Sequence, residues 1–371
     1  MGNDIKVSVI MPIYNASDYL RCALDTVISQ TLSEIEIICI DDGSTDKSLK
    51  IIKEYQQKDP RIRIVTENNA GVSTARNKGI IRARGDYMIF LDADDFYEPE
   101  LLEKLYVTAV KHELDLAVCE YDIYNTKQSR YIPAVLEDHA DILVSGEVIS
   151  KSEYPDTILE CMSGYVWNKL FRTSFVREKE LTFAPELYVF EDVHFVKCAL
   201  SLAGRVMGIS DVLVHHRIYS DQSRAKLFKK YYKQVPIVYL KIKEFLAAIG
   251  MYIPLSASFL NFSASRCYKI YNILWDDAKS AFWDLLHNGY AGSLGWYQHE
   301  REDFEKAEVC DFAANVGLYT HSQYIKRMDK GRELNVDKLT KETLNKKMKT
   351  TKAANKFALF WARLFSKKTK K

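Results

Sequence analysis

The sequence predicts an α/β fold built on a mostly parallel sheet with helices on both faces. Short β-rich apolar runs alternate with segments of helical periodicity through the first 120 or so residues. The spacing between runs suits right-handed βαβ crossovers. The loop after each of the first four runs is polar, and in open α/β sheets ligands bind beyond the carboxyl ends of the strands.

Val7 to Met11 is the first strand and ends at Pro12; Leu20, Ala23, Leu24, Val27 and Ile28 then follow i, i+3, i+4 spacing. Ile35 to Ile40 is the second strand, closed by Asp41-Asp42-Gly43-Ser44-Thr45-Asp46, and Lys47 to Asp59 is helical through Leu49, Ile52 and Tyr55. Ile62 to Val65 makes a third strand and Val72 to Arg82 a third helix. Tyr87 to Leu91 is the fourth strand, Pro99 to Lys111 a helix with proline in its first turn, and Leu116 to Cys119 a fifth strand. Beyond about residue 125 the alternation fades. Val206 to Val214 still reads as a strand leading into His215-His216-Arg217, and helices are expected from Leu227 onward. The uncharged interval Phe245 to Ser265 contains Gly250, Pro254, four serines and Asn261, so it is expected to be a buried helix or helical hairpin rather than a membrane span.

At 371 residues, 47% hydrophobic and 27% charged, the chain has material for one large globular domain and an appendage. Seven cysteines without a CxxC pair read as buried hydrophobes in a reducing compartment. No signal peptide is evident at the N-terminus, and a cytosolic location is expected. The net charge of +2 conceals a division: residues 346 to 371 hold ten Lys or Arg and no acid, leaving 42 basic against 50 acidic residues elsewhere. An acidic body argues against nucleic acid as a partner.

Asp92-Ala93-Asp94-Asp95 follows an apolar strand, where alternation would put Asp92 and Asp94 on one face. Such a pair suits Mg²⁺ or Mn²⁺, which take carboxylate oxygens and complete their shell with water and phosphate. An acidic cap on the next helix would use the same residues. The Asp41 to Asp46 turn can accept a base N–H or ribose hydroxyl, or it can cap a helix through Ser44 or Asp46. Asn69-Ala70-Gly71 opens a helix that carries Arg76, within reach of phosphate or base, or simply a surface arginine.

Together, Val7 to Asn15, the Asp41 to Asp46 turn, Asn69 to Asn77 and Leu91 to Asp95 resemble an inverting family 2 glycosyltransferase of the bacterial polysaccharide type, over roughly residues 5 to 120. That resemblance implies the GT-A nucleotide-diphosphosugar transferase fold with a helical C-terminal region. Pro12, Tyr14, Asn15, Asp42, Asn69, Arg76 and Asp92 would bind the nucleotide; Asp94, with Asp92 and His216, would hold Mn²⁺ or Mg²⁺. Phe190-Glu191-Asp192 matches the family's acidic pair, making Asp192 the base with Glu191 beside it, although acidic residues also suit the start of a helix. Trp167, Asn168 and Lys169 match an acceptor-side segment; Trp167 and Phe171 at i and i+4 would equally fit a helix core face. The expected organisation is a transferase domain at 1–225, split into a nucleotide-binding half at 1–125 and an acceptor half at 126–225, then a helical region at 226–345 and a basic amphipathic tail at 346–371.

The expected reaction moves a sugar from a nucleotide-diphosphate sugar to a hydroxyl of a glycan or lipid-linked glycan in cell-surface polysaccharide or glycolipid synthesis. The enzyme would be a hexosyl- or N-acetylhexosaminyl-transferase. Phe357, Phe360, Trp361 and Leu364 among lysines read as a segment lying on an anionic membrane, which would place the enzyme peripherally at the inner face of the cell membrane. The alternatives are transfer to a polyprenyl phosphate and a catalytically silent membrane-associated binding protein.

Overall fold

The computed structural model of the protein describes residues 5–135, 137–219 and 230–328. These form two compact units: one runs through residue 219 and includes 248–255, and the other holds 230–247 and 256–328.

In the first unit the order is β1 (Val7–Ile13), α1 (Leu20–Ile28), β2 (Ile35–Asp41), α2 (Ser48–Gln56), β3 (Ile62–Thr66), α3 (Val72–Arg82), β4 (Tyr87–Phe90), β5 (Phe96–Tyr97), α4 (Leu101–Lys111), β6 (Leu116–Asn125), β7 (Arg130–Pro133), α5 (Ala140–Leu143), β8 (Lys169–Arg172), α6 (Thr173–Glu178), α7 (Glu191–Leu202) and β9 (Val206–Ile218). Among the described residues nine strands make one sheet in the order β3-β2-β1-β4-β8-β6-β9-β5, with β7 paired to β6. Strands β1, β2, β3 and β4 are mutually parallel; β8 runs against both β4 and β6, so β6 and its parallel partner β9 point the same way as β1. The sheet is therefore mostly parallel, as expected. Every residue of β2 and β4 is buried, the continuous apolar pattern of strands covered on both faces.

The two ends of the sheet differ in kind. Near the amino ends of β1, β2 and β4, Ser8 Oγ donates to Glu36 Oε1 (2.7 Å) and accepts from Gly85 N (2.8 Å), and Arg63 and Arg84 pair with the buried Glu36. That closed network fastens the strands together. The carboxyl ends carry the polar loops.

Several expected boundaries shift. β6 runs on to Asn125, and a register irregularity at Cys119 to Tyr121 lets it pair with all of a longer β9. His215, His216 and Arg217 lie within β9 rather than in a loop after it. β4 ends at Phe90, and Asp92 to Asp95 form a turn into the two-residue β5, so strand alternation is not what brings Asp92 and Asp94 together. Trp167 and Phe171 do not share a helix face, because β8 begins at Lys169. The short strands β5, β7 and β8 carry no periodic signal long enough to read. Of the seven cysteines, all free, Cys22 is exposed and the other six are buried.

The second unit is helical: α8 (Val235–Ala248), α9 (Ser256–Ile273), α10 (Asp276–Leu285), α11 (Ala291–Leu294), α12 (Ala307–Leu318) and α13 (His321–Met328). Tyr239, Phe259, Phe282, Trp283 and Trp296 are fully buried in it. Helices α8 and α9 are separate, with Gly250 left-handed (φ 73°) between them, which splits the uncharged interval into two helices. Among the described residues no helix is long and apolar enough to cross a membrane. The basic tail at 346–371 lies outside the described residues.

Candidate active site

The loops at the carboxyl ends of the parallel strands are stitched to one another by side chains. Asn15, left-handed at φ 49°, accepts from Thr45 N at Oδ1 (2.8 Å), and its own N–H donates to Ser44 Oγ (3.1 Å). Asparagine tolerates that conformation better than most residues. Asp46 accepts from Ser48 N (2.8 Å) and Ser17 N (2.9 Å). Against the desolvation that pushes it up, these donors hold the Asp46 carboxyl at about 2. Asp42, 3% exposed, accepts from Ala70 N (2.8 Å) and Gly71 N (2.9 Å), fixing the entry to α3. Gly43 at φ +73° lies so close to Asn69 N that a Cβ there would sit 2.9 Å away.

Arg76, 4% exposed, continues the chain of contacts. Its Nη2 meets Asp92 Oδ1 at 3.0 Å, its Nη1 meets Glu191 Oε1 at 2.8 Å, and its guanidinium lies over Phe183 at 5.2 Å. Burial works to lower the Arg76 pKa, and the Asp92, Glu191 and Asp192 carboxylates outweigh it, so the net shift is upward. One guanidinium thereby ties the turn after β4 to the first turn of α7.

At the start of α7, Phe190 is left-handed at φ 59°, strain of a kind that clusters at functional sites. Asp192 follows, with Oδ1 accepting from Val193 N (2.7 Å). Burial, reinforced by neighbouring Glu191, pushes the Asp192 carboxyl up to about 7, although Arg76 pulls the other way.

On the opposite flank, the end of β9 closes over the acidic turn. Tyr219 Oη donates to Asp94 Oδ2 (2.8 Å), Arg217 Nε donates to Asp94 O (2.8 Å), and His216 Nδ1 meets the fully buried Asp95 carboxylate at 3.1 Å. Burial, with Asp95 and Asp92 close by, pushes Asp94 up to about 6. The His216 ring stacks on Trp167 (5.3 Å, 15°), and Trp167 stacks on Tyr165 (4.8 Å, 17°). His215 lies between Asp122 (2.7 Å) and Glu98 (2.9 Å) and makes no hydrogen bond to Asp94.

These positions refine the expectations residue by residue. Asp42, Asn15, Arg76 and Asp92 come together at the strand ends, with Pro12 part-buried, Tyr14 51% exposed and Asn69 exposed beside them. Both Asp42 oxygens are engaged by backbone, whereas Asp41, 2% exposed, has its Oδ1 without a hydrogen-bond partner. Glu191 meets Arg76 and so serves as its partner. Trp167, Asn168 and Lys169 are 2%, 3% and 0% exposed, so their side chains are turned into the protein rather than offered to an acceptor. Tyr219, Phe183 and Lys197 were not singled out by the sequence; the Arg217, Tyr219 alternation at the end of β9 was the one legible sign for the first of them.

The acidic turn has the donor chemistry for a hard divalent ion. Among the described residues Asp92 Oδ2 and Asp94 Oδ1 accept no hydrogen bond, and two carboxylates completed by water and phosphate are an ordinary Mg²⁺ set. His216 fits less well. Its Nδ1 meets Asp95, and the donor atoms of Asp92, Asp94 and His216 do not all lie within 4.8 Å of one another.

The chain is similar to known proteins. The family described as Glycosyl transferase family 2 matches residues 8–172. The chain is 32% identical over 215 residues to the "Uncharacterized glycosyltransferase EpsJ" of Bacillus subtilis, covering 57% of this chain and 60% of that protein's length. It is 33% identical over 248 residues to the "Putative glycosyltransferase EpsH" of the same organism, covering 65% and 69%. Its fold is similar to that of S. aureus TarS 1–349 in complex with UDP-GlcNAc, with a TM-score of 0.67 at 20% identity over 89% of this chain and 93% of that one. A mostly parallel sheet with flanking helices and a helical C-terminal region, similar in fold to TarS, is the GT-A architecture, and the chain belongs to glycosyltransferase family 2.

Proposed function

We propose that the protein transfers a sugar, with inversion, from a nucleotide-diphosphate sugar to an acceptor hydroxyl, and that Asp192 is the base. The observation that carries this reading is the Arg76 bridge. By joining Asp92 to Glu191, it holds the candidate base beside the turn expected to bind the donor. A carboxyl raised to about 7 is also well matched to accepting a proton near neutral pH.

In the proposed step Asp192 removes the proton from the acceptor hydroxyl as its oxygen attacks the anomeric carbon. The bond from that carbon to the diphosphate oxygen breaks on the opposite face, and the bonding pair leaves with the nucleoside diphosphate. Asp92 and Asp94 would hold Mn²⁺ or Mg²⁺, whose chemistry is to offset charge on the diphosphate. Arg217, packed over Phe96 and Tyr124 with Nε on Asp94 O, keeps the acidic turn in shape. Asp41 Oδ1, a buried acceptor without a donor, is where a base N–H would relieve an unmet hydrogen bond.

A UDP-linked donor is favoured by the likeness to TarS, which binds UDP-GlcNAc. The acceptor is placed in cell-surface polysaccharide or glycolipid synthesis, with residues 346–371 drawing the enzyme to an anionic membrane face. Incubating the protein with a panel of nucleotide sugars, Mn²⁺ and candidate acceptors tests the reading. Turnover that is abolished in Asp94→Ala and Asp192→Asn supports it; turnover unchanged in both would sink it. Calorimetry showing no metal-dependent binding of UDP or another nucleoside diphosphate would favour a silent binding protein.

A further inference from the structure

Two lysines lie wholly inside the first unit, each 0% exposed: Lys169, the first residue of β8, and Lys197, midway along α7. Burying an ammonium is costly unless its N–H groups are met, and replacing a buried charge by a hydrophobe of similar size is often harmless to stability. Their hydrogen bonds converge on one short segment. Lys169 Nζ donates to Tyr165 O (2.6 Å), Asn168 Oδ1 (2.8 Å) and Ser163 Oγ (3.3 Å). Lys197 Nζ donates to Met162 O (2.6 Å). Residues 162–168 are thus gripped from two sides, by an amine on the sheet and an amine on α7.

What the segment touches gives the grip its meaning. Gly164 lies flush against the first turn of α7, where a Cβ would come within 2.5 Å of Val193 Cγ2 and 2.9 Å of Val193 Cα, one residue from Asp192. At its other end, Trp167 carries the stack onto His216, which meets Asp95 in the acidic turn. The segment therefore bears on both the base and the metal side. Among the described residues Lys169 makes no ion pair, and the Asp192 and Glu137 carboxylates act on it only through their charge, more weakly than its burial. Burial, with Lys197 close by, lowers its pKa to about 7, consistent with an amine kept at a cost.

We propose that Lys169 and Lys197 form a buried clamp on residues 162–168 that sets the position of Asp192 and of the Trp167–His216 stack, making both lysines positioning residues for sugar transfer. This rests on the transferase reading of Asp192. It also assigns Lys169 a task other than contact with an acceptor.

The test uses the full chain carrying Lys169→Met or Lys197→Met, with Lys243→Met as control, since Lys243 is a part-buried lysine of the second unit bonded to Ser293 O (2.7 Å). Hydrogen exchange is expected to quicken at 162–168 and 190–194 in the first two variants and not in the control. For the nucleotide sugar that the wild type turns over, kcat should fall about 10²-fold, the scale of a small misplacement at a reacting centre. KM for the donor and the affinity for UDP with Mn²⁺ should stay within about twofold. Wild-type exchange and kcat in folded variants, or equal losses of UDP affinity and kcat, would overturn the clamp. If a methionine variant does not fold, Ser163→Ala, which removes one acceptor from Lys169, must show the same pattern at smaller amplitude, and an unchanged pattern overturns the proposal. If the wild type turns over no nucleotide sugar, the transferase reading fails, and the exchange experiment still decides whether the clamp exists.

Discussion

Arg76 and Glu191 stand 115 positions apart in the chain, and their side chains meet at 2.8 Å. The contact joins α3, in the N-terminal part of the sheet, to the helix that bears the candidate base. Truncation to Arg76→Ala leaves two partly buried carboxylates facing each other without a cation. Breaking a buried pair in this way costs about 3–5 kcal/mol, and the partial exposure of Asp92 (26%) and Glu191 (13%) places the expected loss at the lower end. Arg76→Lys, which has no fork, keeps one of the two contacts and loses less. Urea denaturation of the three proteins checks the order.

Asp192 acts as a base only when ionised. With its carboxyl raised to about 7, kcat is expected to fall as pH drops through that value, and Asp192→Asn is expected to lose about 10²–10⁴-fold in kcat with UDP affinity unchanged. The same shift has a sign for stability. The folded pKa exceeds the unfolded one, so between about pH 4 and 7 the native state binds the extra proton, and the Asp192 contribution to stability declines as pH rises across that window. Denaturation midpoints at pH 5 and pH 8 should differ less in Asp192→Asn than in the wild type.

Asp94→Asn removes a carboxylate charge from the acidic turn while keeping its shape. The variant is expected to bind UDP no more tightly with Mn²⁺ than without it, whereas Mn²⁺ strengthens binding to the wild type. Titration calorimetry in the two conditions decides it; a full Mn²⁺ effect in the variant would move the metal site elsewhere.

Gly164→Ala puts a methyl group into the Val193 backbone and side chain. Overpacking of this sort costs about 1–3 kcal/mol, and here it would also displace the first turn of α7, which carries Asp192. The midpoint of thermal unfolding should fall, and kcat should fall more than donor KM rises.

Most strands and helices through residue 120 were readable because each shows a helical period or an unbroken apolar run. Leu20, Ala23, Leu24 and Val27 are all buried, as their spacing implied, and α3 spans Val72 to Arg82 as expected. β5 has two residues, and β7 and β8, four residues each like β4, lack the unbroken apolar run of β4 and leave no such trace. The acidic and polar residues of the strand-end loops were readable for a related reason: consecutive parallel strands must deliver their following loops to one edge of the sheet.

Partnership was another matter. By itself the sequence determined the α/β class, the edge at which chemistry would be sought and the carboxylates Asp92, Asp94 and Asp192 that stand there. Only the tertiary structure decided that Arg76 bridges Asp92 to Glu191, that Asp42 is engaged by backbone while Asp41 keeps an unmet oxygen, and that Lys169 is buried rather than offered to a ligand. The physical reason is that periodicity reports which face of its own element a residue occupies. The contact a side chain makes depends on which distant segment folds against that face, and no local pattern carries that information.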